Sequence, residues 1–131
     1  MIATQDLNLC FYTSQKYWDR HSKQIDIFSK TENYNFILPH KNMLEKFGFC
    51  KFCEINHLNI QPKYETERLD IQNYLVLRGL GIALGFREYI EGKKTLLEIP
   101  MAKEMPNCRL NWMIANKERK KEEVKKFMEV M

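Results

Sequence analysis

Residues 78–85 read RGLGIALG, with glycines at 79, 81 and 85, and the fold turns on what those glycines do. A dinucleotide cradle needs a strand first and a helix that opens inside the glycine motif, so that the pyrophosphate meets the helix N-terminus. Here the order is reversed. The run IQNYLVLR (71–78) predicts a helix ahead of the glycines, and the β-prone GIAL follows them. Gly79 then acts as a helix stop, Gly81 permits a tight turn into a strand, and Gly85 leaves that strand. The motif is structural, and it argues against a nucleotide-dependent enzyme.

Upstream of that stretch, RLDIQNYLVLRG (68–79) predicts a helix with Leu69, Tyr74, Leu75 and Leu77 turned inward. Before it, Pro62 biases Gln61 toward extended backbone, and Lys63–Thr66 alternates as a strand. Leu44, Phe47, Ile55 and Leu58 lie close to a 3.6-residue stripe, so a helix is expected from about Lys41, with Gly48 a point of weakness. Phe36–Leu38 reads as a short buried strand stopped by Pro39. Residues 14–35 are polar and irregular apart from a patch at Ile25, Ile27 and Phe28, and Leu7, Leu9 and Phe11 alternate with polar partners as in a half-buried strand.

Downstream, FREYIEG (86–92) gives one or two helical turns, and TLLEIPM and RLNWMIAN give strands, the second with Leu110, Trp112 and Ile114 on one face. The closing KEEVKKFMEVM carries Val124, Phe127, Met128 and Met131 at i, i+3, i+4, i+7. Strands alternating with helices through the middle predict an α/β lobe with parallel pairing and crossover helices.

Composition narrows the function. With 131 residues the chain is one domain by size, and 44% apolar with 29% charged is ordinary globular composition. The net charge of +4 comes partly from NKERKKEEVKK near the end, which mixes both signs and reads as a solvated helix face rather than a nucleic-acid stripe. The N-terminus has neither a basic region nor an apolar run of a secretory signal, and no stretch is long enough to span a bilayer. A cytoplasmic protein with four free cysteines and no membrane partner is expected.

Cys50 and Cys53 form a C-x-x-C, with His57 four residues on. A structural zinc site needs four converging ligands, and Cys10 and Cys108 stand alone rather than as a second pair. On the expected continuous helix, Cys50 and His57 are separated by about 10 Å along the axis. Redox thiols sit at helix N-termini, whereas these fall in the middle of that helix. Both are therefore read as packing residues, with Cys53–His57 at i, i+4 as the alternative pair, and no metal or cofactor is expected. His21, His40 and His57 have no nucleophile in motif context, so no catalytic residue is assigned.

Two turns carry more. FILPHKN leaves a strand and enters a helix through His40, Lys41 and Asn42, and YETERLD does the same through Thr66, Glu67 and Arg68. Free amides and basic side chains at such turns suit an anion. In a parallel sheet they gather on one edge with a third turn at Leu84–Phe86, where ligands bind.

Residues 74–101, YLVLRGLGIALGFREYIEGKKTLLEIPM, resemble the effector-binding (substrate-binding) domain of LysR-type transcriptional regulators. That family shows an apolar helix ending in a G-x-G-[IV] turn, a short strand, a helix with a glycine exit and an L-x-x-I-P strand. LNLCFYT, IDIFSKTENYNFIL, IQPKYETE and RLNWMIANKER follow the family's order, so the resemblance covers nearly the whole chain. It implies a periplasmic-binding-protein-like (type 2) Rossmann-like lobe with two crossover strands, a C-terminal helix and an incomplete first lobe. One effector-binding domain fragment would fill residues 1–131. Lobe II would occupy about 14–100, with crossover strands and a lobe I remnant at 1–13 and 101–131.

The function implied is ligand sensing in transcription regulation, not enzymatic. A small, often anionic effector would contact His40, Lys41, Asn42, Thr66, Glu67, Arg68, Gly85 and Phe86. Lys41 and Arg68 would recognise charge and Thr66 would give a hydroxyl hydrogen bond. The family's L-P after the strand is replaced here by Gly85–Phe86. DNA would be reached only through a winged helix-turn-helix that this sequence lacks, and the apolar terminal stripe predicts a homo-oligomer. The alternative from another class is a free-standing small-molecule-binding or enzyme-like α/β protein.

Overall fold

The computed structural model describes residues 2–113. Strand β1 (Ile2–Ser14) leads into helix α1 (Gln15–Arg20), followed by β2 (Phe36–Leu38), α2 (Lys41–Lys46) and α3 (Phe49–Ile55). Then come β3 (Pro62–Glu65), α4 (Leu69–Leu77), β4 (Ile82–Phe86), α5 (Arg87–Ile90), β5 (Leu96–Glu98) and β6 (Asn107–Met113). The strands form one mixed sheet in the order β3-β2-β4-β1-β5, with β6 paired to β1. The expected closing helix at 121–131 and the facing of Leu110, Trp112 and Ile114 lie outside what is described.

Parallel pairing holds where the crossover helices predicted it. β2 runs parallel to both β3 and β4. β1 is antiparallel to β4, β5 and β6, so the sheet is not wholly parallel. This long strand serves three partners along its length: residues 2–8 pair with 107–113, 9–12 with β4 and 12–14 with β5. The switch is closed by the Leu9 N–H, which donates to Pro106 O at 3.1 Å.

Alternation along β1 sends side chains to both faces, and both are covered. Leu7, Leu9 and Phe11 join Phe36, Ile82 and Phe49 in one core cluster. Cys10 and Tyr12 join Ile37, Val76 and Ala83 in a second, on the opposite face. The expected half-buried strand is thus buried on two sides, and Cys10 and Tyr12 are core residues.

Three local expectations need correction. Residues 15–20 form α1 rather than irregular chain: Ser14 caps it, its hydroxyl accepting the Tyr17 N–H at 3.3 Å. Tyr17 then buries its ring and its hydroxyl accepts the Asn35 N–H at 3.0 Å. Helix α4 turns a different face inward: Gln72 and Val76 are buried, Leu69 and Leu75 are half-buried, and Tyr74 and Leu77 are 59% and 49% exposed. Finally, the helix breaks at its expected weak point, Gly48 at φ +76°, and this corrects the mid-helix placement of the cysteines, because Cys50 falls in the first turn of α3.

Glycine positions explain the opening stretch. Gly79 ends α4 at φ +74°, as expected. A Cβ on Gly81 would stand 2.6 Å from the Asn35 carbonyl oxygen, the same oxygen that accepts the Ile82 N–H at 2.8 Å. Gly85 lies inside β4 rather than at its exit, under the Tyr12 ring, where a Cβ would come within 2.7 Å of Cε1.

Candidate functional site

Because β2, β3 and β4 are parallel neighbours, their C-terminal ends lie on one edge of the sheet. That edge collects the two turns after β2 and β3 singled out in the sequence and the end of β4, where Leu84–Phe86 is strand rather than the expected turn. β2 ends at Leu38, and Pro39 carries the chain to His40, the residue that opens α2. The imidazole Nδ1 of His40 meets the Glu65 carboxylate at 2.5 Å, tying the end of β2 to the end of β3. Hydrogen bonding to Glu65 holds the His40 pKa above its ordinary value.

The second turn is tied to the first by backbone: the Thr66 N–H donates to Leu38 O at 3.0 Å. Thr66 Oγ1 accepts the Arg68 N–H at 3.1 Å, which leaves the hydroxyl proton available to an external acceptor. Arg68 grips Asp70 with two bonds, 3.2 Å from Nε and 2.8 Å from Nη2. This contact holds the Asp70 carboxyl below its usual pKa. Both partners are exposed, so the pair contributes little and is readily exchanged for another anion.

The basic groups on the edge are thus unequal. His40 is engaged by Glu65 and Arg68 by Asp70, while Lys41 makes no ion pair among the described residues. Lys41 and Asn42 also contribute first-turn amides of α2, which have no intrahelical acceptor. Glu67 is exposed within the second turn.

The end of β4 is built differently. Phe86 is 5% exposed, with its ring packed edge-on to Phe47 at 5.2 Å between centroids. The Phe86 side chain therefore serves packing, Gly85 makes room for the Tyr12 ring, and what β4 offers the edge comes from α5. There Glu88 receives the Asn8 backbone N–H at 2.9 Å and the Asn8 side-chain amide at 2.6 Å. Asn8 is the last residue of β1 paired with β6, so Glu88 fastens the strand switch to the same edge. Sequence reasoning missed both Asn8 and Glu88: an acid and an amide 80 residues apart carry no local pattern.

Behind the edge, a polar network fixes the depth of α4. Gln72 Nε2 donates to Tyr12 Oη and to Leu84 O, each at 2.8 Å. Tyr12 donates to Asn73 Oδ1 at 2.7 Å, and the Asn73 amide donates to Tyr89 at 2.6 Å. Burial raises the Tyr12 phenol above its ordinary pKa. Helix α4, whose start presents Arg68, is thereby anchored to β1, β4 and α5.

No family model matches the sequence, and no curated protein matches it. Solved structures do. The chain is similar to HinK, a LysR family transcriptional regulator from Pseudomonas aeruginosa, with a TM-score of 0.57, 13% identity, and coverage of 98% of this chain and 47% of that one. It is similar to the Synechocystis CcmR regulatory domain in complex with 2-PG, with a TM-score of 0.63 and 9% identity over 98% of this chain and 65% of that one. It is also similar to OxyR of Corynebacterium glutamicum, with a TM-score of 0.55 and 16% identity over 98% of this chain and 42% of that one. The chain thus spans less than two thirds of the length of each. Among the described residues no helix is long and apolar enough to cross a membrane. The chain has the periplasmic-binding-protein-like (type 2) fold of LysR-type regulatory domains.

Proposed function

We propose that this chain is a ligand-sensing lobe of a LysR-type transcription regulator and that its sheet edge recognises a small anionic effector. The observation that carries the reading is the convergence of the β2 and β3 turns, which brings Lys41, Thr66 and Arg68 to one edge. Lys41 supplies a cation with no ion pair among the described residues, Thr66 a hydroxyl donor, and Arg68 a planar fork already shaped to a carboxylate by Asp70. His40 and Asn42 flank Lys41, Glu67 disfavours a second negative group, and the backbone at Gly85–Phe86 borders the site. Among the neighbours, the CcmR regulatory domain is described in complex with 2-PG, an example of a small ligand on this fold.

Effector binding would act by biasing the orientation of this lobe against a second one in a homo-oligomer, with DNA reached only through a winged helix-turn-helix domain outside the given sequence. The edge offers acceptor and donor groups but no nucleophile paired with a base, so recognition rather than turnover is its chemistry. The test is a thermal-shift panel of small carboxylates and phosphates, 2-PG included. Stabilisation by at least one anion is expected, reduced by Lys41→Ala and by Arg68→Ala. A panel that stabilises wild type and both variants equally would remove these residues from the site.

A further inference from the structure

The two cysteines set aside as packing residues stand on the wall of a cavity. It measures about 400 Å³ and lies between the α2–α3 pair, the 58–61 loop and the ends of β2 and β3. Leu44, Phe49 and Ile60 give it apolar walls, Cys50 and Cys53 face it from α3, and Lys41 stands on its rim. Both thiols are free and half-buried.

We propose that this cavity is a two-thiol site for a soft monovalent metal ion of the copper(I) class. Residues three apart on a helix hold their β-carbons about 5–6 Å apart. Two sulfurs on one ion lie within about 4.6 Å at metal–sulfur bonds of about 2.3 Å, a separation the one-turn spacing reaches. The donor set decides the ion. Among the described residues no cluster of three or more His, Cys, Asp or Glu is present, which rules against tetrahedral zinc on these groups. Two thiolates in an apolar setting suit a soft ion of low coordination number.

The binding step balances simply. Each thiol gives its proton to solvent as its sulfur bonds the ion, and no electron moves. The resulting bis-thiolate complex carries one negative charge, and Lys41 offers the matching positive one. Glu65, also on the rim, is held by His40. The site requires no effector and does not depend on the regulatory reading.

The test uses the reduced 131-residue chain under anaerobic conditions, titrated into the coloured copper(I)–bicinchoninate complex. Transfer of one equivalent of copper per chain is expected, lost in Cys50→Ser and in Cys53→Ser and retained in Cys10→Ala and in Cys108→Ala. In unsubstituted protein, copper(I) should also protect Cys50 and Cys53 from iodoacetamide, read by peptide mass mapping, which keeps the test valid if a variant misfolds. Absence of transfer, transfer that survives both serine variants, or protection that maps to Cys10 and Cys108 would each overturn the proposal.

Discussion

At the residue scale, the edge is set by small contacts whose loss has a readable cost. Hydrogen bonding to Glu65 raises the His40 pKa above the ordinary 6.5. A raised folded-state pKa means the contact contributes fully below about pH 6.5 and is lost as pH rises through the higher folded value. NMR titration of the His40 ring should show this, and Glu65→Gln should bring the midpoint back toward the ordinary value. Tyr12→Phe removes the acceptor of Gln72 and the donor to Asn73 at once. A loss of about 1–3 kcal/mol is expected in urea unfolding, the cost of stranding buried polar groups. Gly81→Ala drives a methyl into the Asn35 carbonyl, and overpacking against backbone should cost about 1–3 kcal/mol in the same assay.

Elements show where sequence patterns are readable and where they stop. The strand at Phe36–Leu38, the break at Gly48 and the glycine stop after α4 were legible because Pro and Gly impose backbone limits that need no partner. Helix α4 was legible as a helix, but its orientation was not. Ranking by hydrophobicity turns Tyr74 and Leu77 inward, whereas Gln72 faces the core because Tyr12 and Leu84 satisfy its amide. Such pairing comes from residues far along the chain, so no local window reveals it. Helix α1 escaped notice because its six residues are too few to display a period. Two outcomes check these orientations. Leu77→Gln should change stability by less than about 0.5 kcal/mol, while Ser14→Ala should cost about 1 kcal/mol by removing the α1 cap, both read by thermal unfolding.

For the whole molecule, β1 is the organising strand. It carries one core cluster on each face, pairs with β6 along its first half, and delivers Asn8 to Glu88 where it crosses onto β4. That crossing sets the end of β4, Phe86, opposite Leu9 at the strand switch, with β2 and then β3 further along the sheet. The gathering of the turns was foreseeable from strand–helix alternation, because parallel strands must share an edge. The inward fate of Phe86 and the role of Glu88 were not, since both depend on how α2 and β1 close against β4. The most direct test of the anion-recognising edge is a two-dimensional amide NMR titration of the chain with phosphate and with a small dicarboxylate. Shifts concentrated at residues 40–42 and 66–68, and lost in Lys41→Ala, are predicted; no response in the tens of millimolar, or shifts confined to other parts of the sheet, would contradict the account.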